Sequence, residues 1–205
     1  STEIGKEIMQ RSADHVKKIG IELGGHAPFL AFADYGGKAA AKLAALSKFR
    51  NCGQSCIAAS RFYVQEEIYD EFCAQAIAEA EAIVIGNGMD DGVTMGPVAE
   101  PNHLEKTLRL IEDARSKGAN IISGGQRPEG FDKGYFVQPT VMTNVTADME
   151  LMQEEPFCPI MPIIPFKTYD EALALANDSE YALAGYIATR NLTTAIRASE
   201  EMDAG

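Results

Sequence analysis

Tryptophan is absent from the 205 residues, histidine occurs three times, cysteine four times, and lysine plus arginine (18) fall well short of aspartate plus glutamate (30). Each shortage removes a class of function. A formal net charge of −12 repels phosphodiester backbones and anionic bilayers, which argues against nucleic-acid and membrane partners and leaves small molecules as the expected ligands. His15, His26 and His103 lie far apart in sequence, so no metal centre is expected. Cys52, Cys56, Cys73 and Cys158 are too few and too unevenly spaced for a disulfide scaffold. No apolar run reaches transmembrane length and no signal-peptide pattern occurs, and a reducing cytoplasm is the expected compartment. A Gly-x-Ser-x-Gly elbow is missing too. Gly86-Asn87-Gly88-Met89-Asp90-Asp91 lacks the third glycine of a dinucleotide fingerprint and carries two carboxylates that would repel a pyrophosphate, so it reads as a turn.

What is present describes a packed α/β protein. Hydrophobic residues make up 46% and charged residues 23%, and the length suits one domain or one with an attached piece. Ser1 or Thr2 can cap a first helix whose Ile4, Ile8 and Met9 recur at helical spacing, ending near His15. Strands are expected at Ile19–Leu23, Phe29–Phe32, Arg61–Gln65, Asn120–Ile122, Thr140–Met142, Met161–Phe166 and Ala184–Ala188, with another extended piece at Tyr135–Val137. Helices are expected over about Lys38–Phe49, Glu66–Val84, Pro101–Lys117, Tyr169–Ala176 and Leu192–Met202. That alternation predicts a parallel or mixed sheet covered on both faces. Both ends run directly into helical pattern, as expected of a piece cut from a longer chain.

The chemistry-bearing feature is a pair. Glu22 precedes Leu23-Gly24-Gly25, and 34 residues after it Cys56 closes the stretch Phe49-Arg50-Asn51-Cys52-Gly53-Gln54-Ser55-Cys56. A thiolate can attack a carbonyl carbon, and a nearby carboxylate can activate the water that later hydrolyses the thioester. Plainer readings stand beside this one: a buried thiol after a glycine turn, and a carboxylate at a strand end.

Three segments occur in order: Ile21-Glu22-Leu23-Gly24-Gly25-His26-Ala27-Pro28, Asn51-Cys52-Gly53-Gln54-Ser55-Cys56 and Glu154-Glu155-Pro156-Phe157-Cys158-Pro159. With the opening Ser1-Thr2-Glu3-Ile4-Gly5 and with Gly134-Tyr135-Phe136-Val137-Gln138-Pro139-Thr140, they resemble the aldehyde dehydrogenase superfamily over the whole chain. The resemblance implies a three-layer αβα catalytic domain with a mostly parallel sheet over 25–205, and a C-terminal remnant of a dinucleotide-binding domain over 1–24. It also implies NAD or NADP as cofactor, an aldehyde substrate and a homo-oligomer. Cys56 would form a thiohemiacetal, hydride would pass to the nicotinamide, and Glu22 would act as base for hydrolysis of the thioester. Glu155 would hold the nicotinamide ribose hydroxyls and Phe157 pack beside them, with Leu23 and Gly24 also at the cofactor. Ser1 would touch the pyrophosphate. The Phe49-Arg50-Asn51 stretch is similar to the succinate-semialdehyde dehydrogenase branch, in which Arg50 would bind the substrate's distant carboxylate; its alternative is a surface arginine at a helix end. Cys52 is a candidate redox partner for Cys56, although the branch's second cysteine follows the nucleophile by two residues, where this chain has Ala58. Cys158 occupies a place that is usually glycine. Two rival readings are a thiol-based redox sensor and a non-enzymatic structural relative.

Overall fold

The computed structural model describes all 205 residues, Ser1–Gly205. Its centre is a six-stranded sheet in the order β3-β4-β5-β2-β1-β6. The strands are β1 (Ala27–Ala31), β2 (Ala59–Gln65), β3 (Asn120–Ser123), β4 (Thr140–Thr143), β5 (Ile160–Phe166) and β6 (Tyr186–Ala188). All neighbours run parallel except β3 and β4. The helices are α1 (Thr2–Ala13), α2 (Gly37–Phe49), α3 (Tyr69–Glu81), α4 (Pro101–Ser116), α5 (Glu150–Gln153), α6 (Tyr169–Asn177) and α7 (Leu192–Glu201).

Period-two alternation sorts the strands' side chains onto two faces. Phe29, Phe62, Val64, Val141, Met161 and Ile163 pack under α2 and α3. Leu30, Tyr63 and Phe166 meet α6 on the other face, where Met142 and Ile160 meet α4 and α5. The result is the three-layer αβα arrangement with a mostly parallel sheet. Helix α2 buries Ala40, Ala41, Ala44 and Ala45, small side chains that let it lie close to α3. Helix α2 ends at Phe49, where the turn that leads to Cys56 begins.

Several sequence expectations are corrected. Residues 17–26 form no strand at Ile19–Leu23, because β1 already has β2 and β6 on its two sides and this stretch finds no ladder partner. Tyr135–Val137 is likewise irregular: the Tyr135 carbonyl accepts from Val98, and Gln138 donates to Gln126, across loops. The expected long helix from Glu66 opens as a 3-10 turn and ends at Glu81, after which Ile85 bridges to Met95. The four-residue α5 carried no periodicity long enough to read.

Candidate active site

Helix α2 delivers the chain to a turn with unusual backbone. Asn51 (φ 52°), Cys52 (φ 58°) and Gly53 (φ 70°) are consecutive left-handed residues. For the two non-glycines this conformation is strained, and surrounding contacts hold it. The Asn51 side-chain amide donates to the Gln54 carbonyl (2.9 Å), and the Gln54 side-chain amide donates back to the Asn51 carbonyl (3.1 Å). The Gln54 side-chain oxygen accepts from the Ala99 amide (2.9 Å). Cys52 turns inward, donates its S–H to the Gly96 carbonyl (3.2 Å) and packs with Met95, Val98, Leu104 and Val137. Burial pushes its thiol up to about 12, so it stays protonated.

Cys56 is half-buried and unpaired, and its backbone amide donates to no protein acceptor. The segment from Glu22 approaches it through backbone. A Cβ built at Gly25 would overlap the Cys56 carbonyl oxygen and lie 3.3 Å from its carbonyl carbon, so only glycine permits this approach. Glu22 itself is exposed and makes no hydrogen bond or ion pair; it is the Gly25 backbone, three residues on, that lies against Cys56.

The third segment closes on the same place. The Gly25 amide donates to the Glu155 carboxylate (2.9 Å), whose other oxygen would lie 2.5 Å from a Cβ at Gly24. Lys106 donates to the Glu155 carbonyl (2.6 Å), and the Glu155 amide donates to the Tyr181 hydroxyl (3.4 Å). Phe157 is left-handed (φ 51°) and its ring stacks on His103 at 5.5 Å and 26°. Cys158 is fully buried, and its carbonyl carbon would lie 2.7 Å from a Cβ at Gly53, so the Glu155–Cys158 loop is wedged against the Asn51–Gly53 turn. Beneath both, Lys48 is fully buried with one hydrogen-bond partner, the Ser60 hydroxyl at 3.5 Å, and desolvation lowers its ammonium to about 8.

Arg50 is exposed and lines a cavity of about 890 Å³ whose wall also includes Asn51, Ser55, Ile57 and Tyr186. It is the only charged side chain in that wall. The Tyr186 hydroxyl donates to the Ile57 carbonyl (2.5 Å), tying β6 to the residue after Cys56. Two expected cofactor residues lie apart from this cluster. Ser1 caps α1, accepting from the Ile4 amide at 3.5 Å, and Leu23 covers Gly5, the one buried residue of α1. Sequence reasoning passed over Gly25, His103, Lys106 and Tyr181. His103 and Lys106, three apart on one helical face, carried a readable signal; Tyr181 carried none.

The model of the aldehyde dehydrogenase family matches residues 1–205, the whole chain. The chain belongs to the aldehyde dehydrogenase family. It is 43% identical over 205 residues to 3-sulfolactaldehyde dehydrogenase of Pseudomonas putida, covering all of this chain and 42% of that protein. It is 42% identical over 206 residues to the mitochondrial succinate-semialdehyde dehydrogenase of Oryza sativa subsp. japonica, covering all of this chain and 38% of that one. Among solved structures, an NADP-dependent enzyme of E. coli superposes with a TM-score of 0.96 at 40% identity, over all of this chain and 42% of that one. The chain therefore spans about two fifths of the length of these family members. The absence of a side chain at Gly24 leaves room for the Glu155 carboxylate, and Phe157 presents a ring stacked on His103, an acid and an aromatic side by side of the kind that can receive a ribose and its base.

Proposed function

We propose that this chain is the catalytic segment of a longer NAD(P)-dependent aldehyde dehydrogenase that oxidises an aldehyde carrying a second anionic group, such as succinate semialdehyde. Residues 1–24 would be the last part of the dinucleotide-binding domain and 25–205 the catalytic domain. The observation that carries this reading is the convergence of Gly25, Cys56 and Glu155 through one backbone contact and one 2.9 Å hydrogen bond.

The Cys56 thiolate attacks the aldehyde carbon, and the unshared Cys56 amide is placed to donate to the oxygen that becomes negative. Glu155 and Phe157 hold the nicotinamide end of the cofactor, with Leu23, Gly24 and Ser1 as further contacts. The cofactor supplies the hydride acceptor. Glu22, exposed and unpaired, is free to take a proton from the water that hydrolyses the thioester to the acid. Arg50 supplies the lone cation in the cavity wall, and a guanidinium fork matches a carboxylate or sulfonate. Two of the similar proteins, named for 3-sulfolactaldehyde and succinate semialdehyde, share that chemistry of an aldehyde with a distant anion. A homo-oligomer in a reducing, cytoplasmic compartment completes the reading, and the four free thiols agree with the compartment.

The test is steady-state kinetics in the full-length protein, with NAD and with NADP. Cys56→Ala should abolish aldehyde-dependent reduction of the cofactor, and its survival would end the proposal. Arg50→Ala should raise KM about 10- to 100-fold for succinate semialdehyde, the loss of one charge-assisted fork, and far less for an uncharged aldehyde. Equal shifts for both would sink the substrate assignment.

A further inference from the structure

Arg61 on β2 is 1% exposed and pairs with no carboxylate. A buried cation is costly unless its donors are satisfied, and here backbone oxygens take four of the five N–H groups. Its Nε donates to the His26 carbonyl (2.9 Å), Nη1 to the carbonyls of Leu175 (3.0 Å) and Asp178 (3.3 Å), and Nη2 to that of Ala176 (2.9 Å). The last three are the free carbonyls at the end of α6, the negative pole of that helix. One planar fork thus ties the end of α6 to the residue that follows Gly24-Gly25.

Both objects it ties reach the active site. His26 continues the backbone that lies on Cys56 and donates to Glu155. The loop leaving α6 brings Tyr181 edge-on to the His26 ring (5.9 Å), its hydroxyl to the Glu155 amide, and Leu183 to within 3.4 Å of a Cβ at Gly25. We propose that Arg61 is a positioning residue: its guanidinium fixes the Gly24-Gly25-His26 segment and the α6–β6 loop in the arrangement that sets Gly25 against Cys56 and holds Glu155 from the Gly25 amide. Only its effect on turnover rests on the function proposed above; the positioning itself does not. Lysine cannot replace it, because an ammonium has no planar fork with which to span the His26 carbonyl and the helix end together.

The test measures backbone hydrogen exchange by mass spectrometry, together with iodoacetamide alkylation of Cys56, in wild type, Arg61→Lys and Arg61→Ala. Half-buried Cys73 on α3 is the internal reference. In both variants, exchange in peptides covering 24–30 and 179–185 should rise about tenfold, the loss of one charge-assisted bond, and Cys56 alkylation should accelerate with it. Peptides of α2 and α3 and the Cys73 rate should stay at wild-type values. Added guanidinium should restore Arg61→Ala towards wild type, while methylammonium should not. Unchanged exchange overturns the proposal, as does a rise that includes α2, α3 and Cys73, complete unfolding among such outcomes. In the full-length protein, Arg61→Lys should lower kcat with little change in the aldehyde KM. Absence of any turnover in wild type would refute the dehydrogenase reading while leaving the exchange result to decide the role of Arg61.

Discussion

Gly25→Ala isolates the contact on which the site is built. The left-handed backbone at Gly53 strains any side chain, but Gly25 has no such conformation, so the penalty at Gly25 is steric alone. The added methyl would sit inside the van der Waals envelope of the Cys56 carbonyl oxygen, and the two backbones must separate by on the order of 1 Å. Neither obstacle is a side chain that can rotate away. Overpacking of this kind costs about 1–3 kcal/mol, and for a chain of this length that lowers Tm by roughly 2–12 °C. A displacement of about 1 Å at a nucleophile lowers turnover about 100-fold in the full-length protein. The neighbouring glycine provides the contrast. At Gly24 the new methyl meets the Glu155 carboxylate at 2.5 Å, the far end of a side chain that can swing aside. Gly24→Ala should therefore spare Tm and the Cys56 alkylation rate while raising the cofactor KM. Gly88→Ala, with nothing within 4 Å, should change none of these. Differential scanning fluorimetry, Cys56-resolved alkylation and steady-state kinetics read all three variants. A Gly25→Ala chain with wild-type Tm and wild-type Cys56 reactivity, or one indistinguishable from Gly24→Ala, would refute the reasoning.

Burial, reinforced by the Arg61 and Lys48 charges, lowers the His26 imidazole from 6.5 to about 3, and its Nε2 has no protein partner. The unfolded chain therefore binds this proton first as the pH falls, so stability present above pH 6.5 should decline below it by about 1.4 kcal/mol per pH unit. Tm measured between pH 7 and pH 5 should show that slope, and a His26→Gln chain that keeps all of it would remove His26 as the cause. For Cys52, the raised pKa and the Gly96 bond predict that iodoacetamide at pH 8 labels Cys56 and leaves Cys52 unmodified in the folded chain. Peptide mapping showing equal labelling of the two, or a Cys52–Cys56 disulfide after mild peroxide, would favour a redox role for Cys52 instead.

The parts of this molecule that sequence exposes are those set by local pattern. Alternating Phe62, Tyr63 and Val64 announced β2, and the alanine-rich stretch from Lys38 to Phe49 announced α2. The Ile19–Leu23 stretch shows the limit: its apolar residues satisfy a strand pattern, but a strand also needs a free edge, and β1 offers none. The turn leading to Cys56 was legible as a motif without being legible as geometry. Nothing in Asn51-Cys52-Gly53 reveals three consecutive left-handed residues, because that conformation is imposed by Gln54, Gly96 and Ala99 from outside the turn.

That imposed conformation bears on why two cysteines stand four residues apart. A left-handed non-glycine residue persists only where its surroundings hold it, and Cys52 is held by a thiol hydrogen bond and by an apolar cluster drawn from two loops and α4. With its sulfur committed inward, Cys52 acts as the turn's anchor. The Asn51–Gln54 pair closes the outer side, and beyond it Ser55 faces the Arg50 cavity while Cys56 lies against Gly25. The same sulfur cannot hold the turn and also reach Cys56 without releasing Gly96, so a disulfide would dismantle the geometry that presents Cys56. The two thiols thus differ by burial: Cys52 is kept neutral and holds backbone strain, while Cys56 stays half-exposed.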